Sequence, residues 1–248
     1  MYNFENANCL IYSNLAMLMK KIFLLILIMV CVNNSFCQKI ELFGGANKNL
    51  FHDFNYSQGH FNSSYESDFG FTAGVALDSI KIDWQTVRLT LQFDKYGGKF
   101  FASDGGLSSG NSTSATIEKT VISLGAFPIN FRIIKRIDLN FGLIISRLID
   151  ETCTGTISGW TTYQPNWSYN LQDKYNRYSS SIYFGLQGRI AYNFKISKSI
   201  RISPQYLYYF GLSKEFVEFP EVTKSMRHYI CIGLKFRRNF NKNCTKSS

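Results

Sequence analysis

The chain has 248 residues, enough for one domain that can close a barrel, with 27 Lys and Arg against 17 Asp and Glu and a formal charge of +10. An aromatic content of 16% speaks against a disordered chain, and four prolines and three histidines speak against a Pro-rich scaffold or a His-rich metal protein.

The N-terminal residues read as a targeting segment. Met19-Lys20-Lys21 precedes an apolar run over residues 22–32, followed by Asn33-Asn34-Ser35 and the small-residue site Ser35-Phe36-Cys37 before Gln38. This is the layout of a secretory signal peptide, and the run is about half of the roughly 20 residues that a spanning helix needs. Residues 1–18 hold Glu5 and no basic residue, so they are an unsuited front for a signal, and a start at Met17 or Met19 fits better. The expected organisation is a signal peptide with that extension over residues 1–37, a barrel domain over 38–240 and a periplasmic tail over 241–248. Cleavage leaves Cys153, Cys231 and Cys244. Cys153 is expected in an external loop and Cys244 in the tail, which separates them by a membrane and predicts free thiols.

Downstream, apolar and polar residues alternate with period two, the pattern of strands with two different faces. Residues 39–47 form a first strand weakened by Gly44 and Gly45. Clean alternation follows over residues 69–78 and 87–94. Residues 116–131 lose parity around Gly125 and Pro128, where a bulge is expected. Alternation returns over 137–146, 182–194, 200–210 and 230–236, which makes eight strands. The apolar face of the six clean strands carries eleven Phe or Tyr rings and no charge. An eight-stranded barrel has an interior only just wide enough for side chains, so the rings are expected outside, facing lipid, with the small and polar face inside.

The segments between strands alternate in length. Residues 47–68, 97–113, 148–178 and 211–224 are read as external loops, and 78–84, 132–136 and 195–199 as tight periplasmic turns. Phe69, Phe71, Phe93, Tyr208 and Phe210 gather toward one end of the strands and Trp84, Tyr192, Phe194 and Phe236 toward the other, as interfacial girdles do. The fold class is therefore all-β, an eight-stranded antiparallel up-and-down transmembrane β-barrel of the cell outer membrane, expected as a monomer. A water-soluble lipocalin-like carrier with an apolar lumen is the alternative architecture.

The signal ending Ser35-Phe36-Cys37-Gln38, the eight strands and a fourth strand reading Ile122-Ser123-Leu124-Gly125-Ala126-Phe127-Pro128-Ile129-Asn130-Phe131 resemble the PorT-like outer-membrane β-barrel family of Gram-negative bacteria, over nearly all of residues 38–236. Where that family often has an acidic residue two places before the strand-four proline, this chain has Ala126. The resemblance implies an outer-membrane barrel, with a few members tied to protein secretion, and carries over no catalytic residue.

Residues that bear chemistry are scattered. The barrel lipid A deacylases place His and Ser two apart on a strand. His228 is instead followed by Tyr229 and Ile230, and His52 and His60 lie in a loop, so no catalytic site is assigned and a lipid-modifying enzyme stays the alternative activity. No metal or cofactor site is assigned either, since His and Cys are not clustered at ligand spacings. The basic residues of the turns are dispersed, without the concentrated footprint of a nucleic-acid binder. The inward charges Glu41, Arg88, Asp94, Asp138, Arg189, Arg201 and Lys235 are expected to form a paired network that fills a closed lumen. The third external loop holds Trp160, Tyr163, Trp167 and Tyr169 among amide and hydroxyl side chains, a surface suited to a protein or glycan partner. The expected role is structural, binding or interaction through external loops, with outer-membrane lipids around the barrel and no large open pore.

Overall fold

The computed structural model describes residues 39–52, 56–58, 60–82, 85–106, 108–134, 136–162, 164–173, 179–216 and 224–237. The expected signal peptide, the tail with Cys244, and Trp84 lie outside the described residues. Eight strands close a ring in chain order: β1 (Lys39–His52), β4 (Phe69–Ile82), β5 (Gln85–Gly105), β6 (Ser109–Ile134), β7 (Ile137–Thr161), β9 (Ile182–Tyr192), β11 (Ile200–Gly211) and β12 (Lys224–Arg237). Every pairing is antiparallel, and β12 returns to β1 in a ladder from Lys39↔Arg237 to His52↔Lys224. Closure leaves the ring without an edge, so outside the bulges the backbone groups of each strand face a neighbouring strand on both sides. Four shorter strands extend it: β2 (Tyr56–Gln58) pairs with β3 (Phe61–Ser67), which pairs with β5; β8 (Gln164–Asp173) pairs with β7; and β10 (Phe194–Lys195) pairs with β11.

The side chains sort as the alternation dictates. Phe71, Val75, Leu143, Phe184, Ile190, Ile230 and Ile232 are exposed on the outside, while Thr72, Arg88, Gln92, Ser146, Gln187, Arg189 and Ser203 are buried within the ring. An apolar belt around a closed barrel faces a bilayer, because water would meet it on every side. The lumen differs from the expectation in one respect, since it also holds rings: Phe43, Phe127, Tyr183, Tyr209 and Tyr229 are buried there. Glycines on the inner face make the room. A Cβ at Gly74 would stand 2.4 Å from the Phe43 ring, and one at Gly185 would stand 2.6 Å from that of Tyr209.

The bulge in β6 is where the parity broke. The register with β7 slips between Ala126 and Ile129, so Leu124 before the slip and Ile129 and Phe131 after it all face outward.

One expectation needs correction. Three of the segments read as external loops, 47–68, 97–113 and 148–178, are largely strand: β5 and β6 stay paired to Gly105↔Gly110, and β6 and β7 to Ser109↔Thr161. Strands of 21, 26 and 25 residues run far beyond the roughly 9–11 that cross hydrocarbon. One wall of the barrel thus rises as a sheet at the hairpin end. At the opposite, turn end, Lys39 and Arg237 sit together and the connections are short.

Candidate functional site

The lumen is filled in layers. Nearest the turn end, the Glu41 carboxylate of β1 gathers cations from three other strands. Arg88 Nη1 donates to it at 2.7 Å and also to Asp78, Arg189 Nη2 donates at 3.0 and 3.1 Å, and Lys235 Nζ lies 3.6 Å away. Lys235 also donates to Asp138 at 3.1 Å and lies 3.5 Å from Asp78, and Arg132 donates to Asp138 at 2.9 Å from the rim. Above this tier sits a buried apolar cluster of Phe43, Ala76, Phe127, Ile144, Leu207, Tyr209, Tyr229 and Cys231. Cys231 is a free thiol there.

A second charged tier lies toward the hairpin end. Arg227 stands 3.7 Å from Asp94, which also accepts from Gln92 at 2.8 Å and from the Tyr229 hydroxyl at 3.3 Å. Glu215, in the segment between β11 and β12, folds into the barrel. It accepts from Tyr96 at 2.6 Å, from Lys119 at 3.1 Å and from Arg227 at 3.5 Å. Burial alone would push its carboxyl up, but Lys119 and Arg227 outweigh it and hold the pKa at about 2. Phe216 follows it inward, where Lys119 Nζ sits 3.7 Å over its ring, and packs with Phe100, Ala115, Ile117 and Cys153. The backbone fixes this strap through Ser180 N donating to the Glu215 carbonyl at 2.8 Å and a bridge between Ser179 and Phe216. Glu215 and Phe216, expected in an external loop, here plug the lumen, and Cys153, also expected in a loop, is buried in β7.

Measured against the expected network, Glu41, Arg88, Asp138, Arg189 and Lys235 do meet, Asp94 belongs to the other tier, and Arg201 lies at the turn-end mouth, half-buried and without an ion-pair partner among the described residues. Lys119, Glu215 and Arg227, together with Glu151, which lies 3.9 Å from Lys119 and accepts from the Ser179 hydroxyl, have no counterpart in the expected network. Lys119 lies in the strand whose parity the bulge disrupts, and Arg227 lies just before the alternation read as strand. Glu215 is in a segment read as loop, where parity offers no signal. Asp78, on the polar parity of its strand, joins the same tier through Arg88 and Lys235.

Two recesses open at the ends. At the turn end, a recess of about 260 Å³ is lined by Lys39, Asp78, Arg88, Asp138, Lys198 and Arg201, among others. At the hairpin tip, a groove of about 460 Å³ is lined by Asp104, Asn111, Ser158, Trp160, Asn166 and Trp167. The tip is held by the Ser112 and Ser158 hydroxyls at 2.8 Å and by Thr162 N and Oγ1 donating to the Ser108 carbonyl at 2.9 and 3.0 Å. Trp160 stands opposite Gly110 and Trp167 opposite Gly159, so the two rings reach the groove from opposite faces of the sheet and not as one stacked platform. Tyr163 and the Tyr169 side chain lie outside the described residues. On the outward face, His228 Nδ1 and the Tyr206 hydroxyl are 2.5 Å apart, so the hydroxyl beside that histidine is a phenol and not a serine.

No family model matches the sequence, and no curated protein matches it. Solved structures do resemble it at low identity. The attachment invasion locus protein Ail of Yersinia pestis is 12% identical, with a TM-score of 0.39, covering 81% of this chain and all of that one. Neisserial surface protein A is 10% identical, with a TM-score of 0.39, covering 81% and 97%. The outer membrane protein OprG from Pseudomonas aeruginosa is 11% identical, with a TM-score of 0.38, covering 82% and 97%.

Proposed function

We propose that this chain is a small barrel of the Gram-negative outer membrane, of the PorT-like kind, exported by a cleaved signal peptide, with a closed lumen and a glycan-binding tip at its external, hairpin end. The observation that carries this reading is the layered lumen. Two ion-pair tiers enclose an apolar cluster, which leaves the work of the molecule to its ends. The short connections and both barrel termini then face the periplasm, the usual arrangement of such barrels. The apolar exterior and charged interior are the reverse of a lipocalin-like carrier. At the tip, Trp160 is 43% exposed beside Asn111, Asn166 and Ser158, which gives a flat ring for sugar C–H groups and amides and hydroxyls for sugar hydroxyls. The groove, at about 460 Å³, has room for a few sugar units.

The test is a glycan array probed with the folded barrel in detergent. Selective binding that Trp160→Ala and Asn166→Ala each reduce by tenfold or more, with the heat-modifiable gel shift intact, supports the reading. Binding untouched by both variants overturns it.

A further inference from the structure

We propose that the turn-end mouth of the lumen is a second binding site, for a phosphate ester that carries a neighbouring hydroxyl. Six cations line the recess against two carboxylates, Asp78 and Asp138. Those carboxylates are already engaged, Asp78 by Arg88 and Lys235 and Asp138 by Lys235 and Arg132. Among the described residues Lys39, Lys198 and Arg201 are left without a hydrogen-bonded or ion-paired partner. Lys39 has Arg132, Arg201 and Lys235 as cationic neighbours and Asp78 as its anionic one, so the field at the mouth is uncompensated.

A second observation points to a ligand. Arg88 is 2% exposed and lines the recess, yet its Nε has no partner, and Asn193 Oδ1, also buried there, lacks a donor. A buried guanidinium N–H left unpaired is costly, and an anion in the recess relieves it. Three unpaired cations match a phosphate ester, whose charged and ester oxygens offer each of them an acceptor, better than a carboxylate with two oxygens, and the orphaned acceptor asks the ligand for a hydroxyl. Phe131 and Phe236 line the same recess while their rings face outward, so the mouth is continuous with the lipid-facing belt. The ester can therefore be a soluble phosphomonoester or the headgroup of an inner-leaflet lipid.

Calorimetric titration of the folded mature chain with glycerol 3-phosphate at fixed ionic strength tests the first source. Native mass spectrometry from nanodiscs of phosphatidylcholine doped with phosphatidylglycerol tests the second. In whichever arm binds, we expect Lys198→Gln with Arg201→Gln to weaken it at least tenfold. The pair Lys99→Gln with Lys214→Gln, which removes the same charge from exposed hairpin-end positions, should leave it unchanged. Binding in one arm names the source. The site is refuted by no saturable binding in either arm, by acetate binding as tightly as the phosphate ester, or by equal losses in the two variant pairs. These outcomes are independent of the glycan reading, which concerns the opposite end.

Discussion

Glu41 ties β1 to four other strands, through Arg88 on β5, Arg189 on β9, Lys235 on β12 and Ser203 on β11. Its carboxylate is wholly buried, so neutralising it leaves Arg189 with only the Gln205 and Asn140 side chains and leaves Arg88 and Lys235 to Asp78 and Asp138. Glu41→Gln is expected to cost about 3 kcal/mol, at the lower end of the range for breaking a buried pair, because the amide oxygen keeps one of the bonds. Urea unfolding from lipid vesicles measures it. Gly233→Ala attacks the same group from another strand, since its Cβ would stand 2.2 Å from Glu41 Oε1, an atom held by Arg189. The two substitutions should cost less together than the sum of their separate effects, because they disturb one network. Inward orientation of these residues was legible from parity alone, but height in the barrel was not. Asp94 shares the face of Arg88 yet lies six residues along β5, about 20 Å away at strand rise, and so falls in the other tier.

At the scale of elements, the strand cores and the β6 bulge could be read from the sequence because the bilayer imposes a greasy face on every second residue. Beyond the bilayer that pressure ends. The stretch Ser109-Gly110-Asn111-Ser112-Thr113-Ser114 is polar on both faces and reads as loop, although its ladder to β5 and β7 is continuous. The strap holding Glu215 was illegible for a different reason: it is ordered by ion pairs to Lys119 and Arg227, residues remote in sequence. Its dependence on pH follows from the carboxylate. A pKa held at about 2, below the ordinary value near 4.5, means that the charged form favours the docked strap. This stabilisation is complete above the ordinary value and is lost as pH falls through the folded one. Protection factors over residues 212–216, corrected for the intrinsic pH dependence of amide exchange, should stay high at pH 7 and at pH 4 and fall near pH 2. Glu215→Gln should leave them low at all three values. Release of the wild-type strap already at pH 4.5 would contradict the ion-pair account.

For the whole molecule, the direction in which the side chains turn decides both where the barrel sits and whether it conducts. An ion moving through the lumen meets three layers in series: the Glu215 tier with its strap, the apolar cluster around Phe43 and Phe127, and the Glu41 tier. Current through barriers in series is set by the tightest, and an apolar constriction stops ions even where water could enter. Removing one layer should therefore leave the barrel closed. In planar bilayers we expect no stable open steps from the wild type, from Glu215→Ala with Phe216→Ala, or from Phe43→Ala with Phe127→Ala. Joining these two pairs with Glu41→Ala removes a member of each layer and should produce small open steps wherever the heat-modifiable shift shows a folded barrel. Large steps from the wild type, or from the strap variant alone, would mean that the inner charges line an ion path, because a network that seals the lumen cannot be breached from one end.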